Sequence, residues 1–201
     1  SGNYTVDSTG TGDYTSLQQA ADALVNNGVN GPVTIHISPG EYAGQTWIDS
    51  IPGTSQSNTV TIRSATGDSA DVTLAYNSSS NYDTVSTLYI DSTDHLYLED
   101  LTIKGLNSVN AIYIGSEATS IQVERCHILG GYNKAIHIES FIEQRSTGNY
   151  FNYYYIHEMV NNITIKNNNI FSKGAGIHLV HDGVRRTFLD IDVLETDVTN
   201  D

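Results

Sequence analysis

The sequence predicts an all-β chain wound as a right-handed parallel β-helix, a solenoid with a short capping α-helix at its N-terminal end. Three observations predict it. First, the apolar-x-apolar runs Thr87-Leu88-Tyr89-Ile90, Ala111-Ile112-Tyr113-Ile114 and Ala135-Ile136-His137-Ile138 recur at a fixed step, Leu88 to Ile112 and Ile112 to Ile136 being 24 positions each. A repeat of this size marks stacked units that bury one another's faces. Second, each repeat carries two further short runs that follow at nearly the same step, 25 positions from Leu96 to Ile121 and from Leu101 to Cys126: Leu96-Tyr97-Leu98, Ile121-Gln122-Val123 and Ile163-Thr164-Ile165, then Leu101-Thr102-Ile103, Cys126-His127-Ile128 and Asn168-Asn169-Ile170. Such runs alternate with period two and are too short and too β-branched for helices. Third, the fourth main run, Gly176-Ile177-His178-Leu179, follows Ile136 by 41 positions, one step plus an insertion of 17 that falls between Ser140 and Met159.

The elements follow in order. Ser16 with Gln19 three positions on reads as a capping box, Leu17, Ala20, Ala21, Leu24 and Val25 share one helical face, and Gly28 is the stop. A helix over 17–27 would cover the open apolar end of the first rung, because a solenoid needs a lid. Val33-Thr34-Ile35-His36-Ile37 is expected as the first strand, ended by Ser38-Pro39-Gly40, with Val60-Thr61-Ile62 and Val72-Thr73-Leu74 behind it. The 201 residues suit one domain: a cap over 1–30, rungs over 31–198, and a loop at about 140–159. The acidic alternating stretch from Phe188 to Val198 has no amphipathic cap after it, so the chain is expected to be an excerpt of a longer one, with further domains or a partner on its C-terminal end.

With 23 acidic against 9 basic side chains the net charge is −14, which opposes nucleic acid, anionic lipid surfaces and, without bridging cations, acidic polysaccharides. No apolar run approaches the length of a membrane span. The single cysteine, Cys126, excludes an internal disulfide framework and reads as a small core residue. Scarce lysine and abundant Asn, Ser, Thr, Asp and Gly fit an extracellular or cell-surface setting.

Gly12-Asp13-Tyr14-Thr15-Ser16-Leu17-Gln18-Gln19-Ala20, followed by Pro32 to Tyr42, resembles the opening of pectin-lyase-like β-helix proteins, pectin methylesterases among them. From Tyr4 to about Leu106 the chain is more similar still to β-helix domains of large secreted or surface proteins of Bacteroidota-type bacteria. The resemblance implies the fold; the superfamily spans lyases, hydrolases, esterases, epimerases and domains with no assigned chemistry, so it implies no single activity. It also implies that a working groove would run along the sheet of the Ala-Ile-His-Ile strand. Where pectin methylesterases carry Gly-x-x-Asp-Phe this chain has Gly131-Tyr132-Asn133-Lys134-Ala135, and where pectate lyases place acidic calcium ligands it has Val109-Asn110, Asn133-Lys134 and Gly174-Ala175. Neither catalytic set carries over.

Alternation puts Leu88, Ile90, Ile112, Ile114, Ile136, Ile138, Ile177 and Leu179 inward and lines up Tyr89, Tyr113, His137 and His178 outward in one column. Tyrosines suit the apolar faces of sugar rings, and imidazoles donate or accept hydrogen bonds. The insertion adds Tyr150, Tyr153, Tyr154 and Tyr155, together with Phe141, Phe151, Glu143, Arg145, His157 and Glu158, as a candidate aromatic wall. The expected function is therefore a secreted or surface module that binds a polysaccharide or other glycan through Tyr89, Tyr113, His137, His178, Tyr150, Tyr153, Tyr154 and Tyr155. The rival is a polysaccharide-active enzyme, a lyase, hydrolase, esterase or epimerase, with His137, His178 and Arg185 as its catalytic groups and Tyr113 assisting. A structural spacer is the third reading. No metal site and no cofactor are expected: three histidines would need His181 to fold back on His137 and His178, and calcium lacks support because Asp7, Asp13, Asp68 and Asp71 are scattered.

Overall fold

In a computed structural model, residues 1–80, 84–115, 117–140, 142–146, 153–157, 160–181, 191–194 and 197–200 are described, those at 140, 142–146, 153–157, 181, 191–194, 197 and 200 by their backbone only. The chain is a right-handed parallel β-helix built from three parallel sheets. The first sheet stacks Gly2–Val6, Val33–Ile37, Val60–Ser64, Leu96–Glu99, Thr119–Glu124, Asn161–Lys166 and Ile191–Leu194. Another stacks Gly40–Ala43, Val72–Ser78, Thr102–Asn107, His127–Gly130, Asn169–Ser172 and Asp197–Asn200. The third, called here the aromatic sheet, stacks Thr46–Ile48, Ser86–Ile90, Asn110–Ile114, Ile136–Ser140 and Ile177–His181.

Inward aliphatics make one continuous core. Leu88, Ile90, Ile112, Ile114, Ile136 and Ile138 are fully buried, as their alternation requires, each contributing roughly 1.5–3 kcal/mol through burial. Ile177 and Leu179 stand in register with Ile136 and Ile138 and leave the sheet on the same inward side, but Ile177 is only partly buried and Leu179 is 46% exposed. Both lie on Ile177–His181, the edge strand of its sheet, which lacks a neighbouring strand on one side among the described residues.

The helix spans Leu17–Asn27, with Leu17, Ala20, Ala21 and Leu24 in the core and Gly28 at φ 64° as its stop. The Ser16 hydroxyl accepts from the Gln19 N–H as expected. The return contact differs, because the Gln19 side chain accepts from the N–H and hydroxyl of Thr15 instead of from Ser16. The rungs also begin earlier than Val33. Gly2–Val6 pairs in parallel with Val33–Ile37, from Gly2 beside Val33 to Val6 beside Ile37, so the helix is an excursion after the first strand. That strand carries a weak sequence signal because it places only Val6 in full burial.

Corners repeat like the strands. His95, Ser120 and Asn162 have φ of 54°, 55° and 53°, and Asp100, Arg125 and Asn167 have 55°, 53° and 55°, each trio at one turn in successive rungs. A left-handed residue costs roughly 1–2 kcal/mol unless it is glycine, Asn or Asp, so these turns are held by what they connect. Asn168 shows how: its amide donates to the Val123 carbonyl and accepts from the Cys126 N–H, both at 2.8 Å and buried. Cys126 itself is 2% exposed, and burial pushes its thiol up to about 12.

The insertion is not a plain loop. Ile142–Ser146 and Tyr153–His157 pair antiparallel as a ribbon, from Ile142 opposite His157 to Ser146 opposite Tyr153.

Candidate functional site: an aromatic column across the rungs

Pairing on the aromatic sheet fixes one row of side chains. Trp47 pairs with Tyr89, Tyr89 with Tyr113, Tyr113 with His137 and His137 with His178. Parallel strands set these residues one rung apart, about 4.8 Å, which is close to the stacking distance of aromatic rings. The rings use it: Trp47 and Tyr89 stack with centroids 4.2 Å apart, and Tyr89 and Tyr113 at 4.6 Å with planes 14° from parallel. Beyond Tyr113 the geometry turns, His137 meeting it edge-on at 5.4 Å and 88°, and His178 meeting His137 at 5.1 Å and 61°. Sequence and structure thus agree that Tyr89, Tyr113, His137 and His178 share one row.

Access along the row is uneven. Trp47 is 51% exposed and Tyr89 and His178 are half-buried, but Tyr113 and His137 are 2% and 1% exposed. Tyr113 and His137, expected among the ligand-binding residues, are therefore covered, while the two ends of the row are open. Tyr113 is held down by its phenol, which donates to Glu139 Oε2 at 3.0 Å. Burial, and then the Glu139 carboxylate, push that phenol well above its ordinary range. Gly115 makes room for the ring, since a Cβ there would lie 2.5 Å from Tyr113 Cε1.

A second row runs two residues further along the strands. The ladder continues past the paired residues, with the Asp91 N–H donating to the Ile48 carbonyl and the Gly115 N–H to that of Ile90. This places Asp49, Asp91, Gly115 and Glu139 beside the aromatic row. Trp47, Ile48, Asp49, Tyr89 and Asp91 enclose a hollow of about 140 Å³. Burial, and then the neighbouring Asp49 carboxylate, raise Asp91 above the ordinary carboxyl range, and its Oδ1 atom is buried without a hydrogen-bond partner. Tyr89 is raised too, by burial and then by Asp91.

The capping helix positions the exposed end of this arrangement. Gln18 reaches from its first turn to the edge strand, where its Oε1 accepts from the Trp47 N–H at 2.7 Å and its Nε2 donates to the Trp47 carbonyl at 3.3 Å. The same amide donates to Asp22 at 2.8 Å. An edge that would otherwise expose unpaired backbone is closed by one glutamine.

The fold neighbours agree with the architecture. YbhC of Escherichia coli superposes with a TM-score of 0.63 at 15% identity, covering 98% of this chain and 56% of YbhC. A protein described as a putative glycosyl hydrolase, from Parabacteroides merdae, superposes at 0.52 and 14%, covering 98% and 97%. The pectin methylesterase of Aspergillus niger covers the whole of this chain and 86% of its own at 0.46 and 14%. For YbhC and the Parabacteroides merdae protein the likeness carries the fold alone at these identities, and this chain spans little more than half of YbhC. No protein-family model and no curated protein sequence matches it.

Trp47, Asp49 and Asp91 were not singled out from the sequence. Trp47 precedes Tyr89 by 42 positions and not 24, so the repeat does not reach it; its position between Thr46 and Ile48 in an alternating run was the available signal. Tyr150 and Arg185 lie outside the described residues, as do Asp182 and Arg186. Tyr153, Tyr154 and Tyr155 lie on the Tyr153–His157 strand, described by backbone alone.

Proposed function

We propose that this chain is a polysaccharide-binding β-helix module of an extracellular or cell-surface protein, and that the ligand lies along the aromatic sheet. The observation that carries the reading is the stack of Trp47 on Tyr89 on Tyr113, in register and open at its Trp47 end. Stacked, partly exposed rings present the flat apolar surface that the C–H face of a sugar requires, next to carboxylates that accept hydrogen bonds from its hydroxyls. Further support comes from the fold neighbour described as a putative glycosyl hydrolase. The departures from the esterase and lyase motifs at Lys134 and Asn110 favour binding over turnover. No helix among the described residues is long and apolar enough to cross a membrane.

The test is a glycan array followed by calorimetry and product analysis on pectin, alginate and neutral glucans. Saturable binding is expected, about tenfold weaker in Tyr89→Ala through loss of the stacked ring, with no new reducing or unsaturated ends. Release of such ends, lost in His137→Ala and His178→Ala, would establish the enzyme instead. Absence of binding to every glycan would leave a spacer.

A further inference from the structure

We infer that the hollow at the Trp47 end is a subsite for an uncharged sugar ring and that it discriminates against uronates. The inference rests on the binding role proposed above and adds to it a location and a ligand class.

The chemistry of the lining decides the class. Its two aromatic members supply a platform, Trp47 stacked on Tyr89 at 4.2 Å and about half exposed. Its polar members are acidic: Asp49 and Asp91, with no lysine, arginine or histidine among the five lining residues. Such a wall accepts hydrogen bonds and repels anions. Asp49, exposed on the same wall, accepts from a sugar hydroxyl while the ring lies on the indole. The hexuronate carboxylate would instead meet two carboxylates already close enough for Asp49 to raise Asp91. The whole chain, at −14, adds to the repulsion.

Size agrees. A hollow of about 140 Å³ is well below the roughly 300–1,000 Å³ of pockets that enclose a drug-sized ligand. It suits one ring laid against a wall, with the rest of the polymer continuing outside. The platform is also fixed in advance. Gln18 holds the Trp47 backbone from both its N–H and its carbonyl, so little ordering remains for a ligand to drive.

The experiment compares two oligosaccharides of matched linkage and length, a neutral galactan and a polygalacturonate, by calorimetry on the full chain at neutral pH, low salt and with a chelator present. The neutral ligand is expected to bind at least about tenfold more tightly, as a short-range clash between like charges implies. Trp47→Ala should weaken the neutral ligand by about tenfold. In Asp49→Asn/Asp91→Asn the preference should narrow to within about threefold, because the repulsion is gone while the platform remains. Asp49 is exposed, so the single Asp49→Asn variant offers the same comparison, with a smaller narrowing, without disturbing a buried group. Equal or tighter binding of the uronate by the wild type would overturn this inference and leave the glycan-binding reading standing. A preference unchanged in the double variant would also overturn it. Failure to bind either ligand, or any glycan on the array, would overturn both.

Discussion

At the corner after Leu96–Glu99 and Thr119–Glu124, charged residues from successive rungs meet in a ladder; on the aromatic sheet, rings from successive rungs meet in a stack. The same register builds both, yet they end in opposite states. In the ladder Arg125 Nε lies 2.7 Å from Asp100 Oδ1, Arg63 Nη2 lies 2.9 Å from Asp100 Oδ2, and Arg125 also reaches Glu99 at 3.0 Å and Glu124 at 2.8 Å. Lys166 extends it to Glu124 at 3.5 Å. Asp100, whose side chain is 5% exposed, thus has two arginines on it, and its hydrogen bond to Arg125 raises that guanidinium further above its ordinary range. On the stack, by contrast, Asp91 keeps a buried oxygen with no donor and Trp47 keeps half its surface in water. Where every polar group is matched, the repeat holds the coil together. Where an aromatic surface is left open beside an exposed carboxylate, there is something for a ligand to cover.

That contrast can be broken from either side. The largest effect is expected on the ladder, where Arg125→Ala leaves Asp100 with Arg63 alone and should cost about 1.5–3 kcal/mol of stability, the range for hydrogen bonds to charged groups, read by thermal or denaturant unfolding. Glycan affinity should be unchanged in the same protein. A loss of affinity without a loss of stability would mean that the ladder, and not the stack, faces the ligand.

A smaller and opposite effect is expected at Asp91. Its folded-state pKa is raised by burial and by Asp49, so its protonated form is the one folding favours. The stability this contributes is fully present below the unfolded value near 3.8 and is lost as pH rises through the raised folded value. Asp91→Asn should therefore raise the melting temperature at pH 7, with the gain shrinking towards about pH 3, where the native carboxyl is protonated in both states. A gain of equal size at both pH values would mean that charge burial is not what the substitution relieves.

The chain announces its rungs more clearly than its site. Leu88, Ile112 and Ile136 recur every 24 residues because the middle rungs have turns of equal length, and the helix at Leu17–Asn27 is written in its cap, its apolar face and Gly28. From these the row of Tyr89, Tyr113, His137 and His178 follows by alternation alone. The first rungs have longer turns, which stretch the step from Trp47 to Tyr89 to 42 positions and hide the residue that completes the stack. Accessibility was also illegible: alternation says which side of a sheet a ring leaves from, whereas the burial of Tyr113 depends on a hydrogen bond to Glu139 one rung away and on the missing side chain at Gly115. Asp91 stood in plain view after Ile90, but its unmatched oxygen depends on the surrounding packing and not on spacing.

Trp47 is the only tryptophan in the chain, so its fluorescence reports on the exposed end of the stack without labelling. The direct measurement is collisional quenching of that emission by a neutral solute, with and without a saturating oligosaccharide identified on the array. An indole covered by a sugar ring should be quenched about half as efficiently or less, and in Tyr89→Ala, which removes the ring beneath it, the same protection should need about tenfold more oligosaccharide. Quenching that stays the same while the oligosaccharide is demonstrably bound would place the ligand elsewhere on the coil and contradict the account.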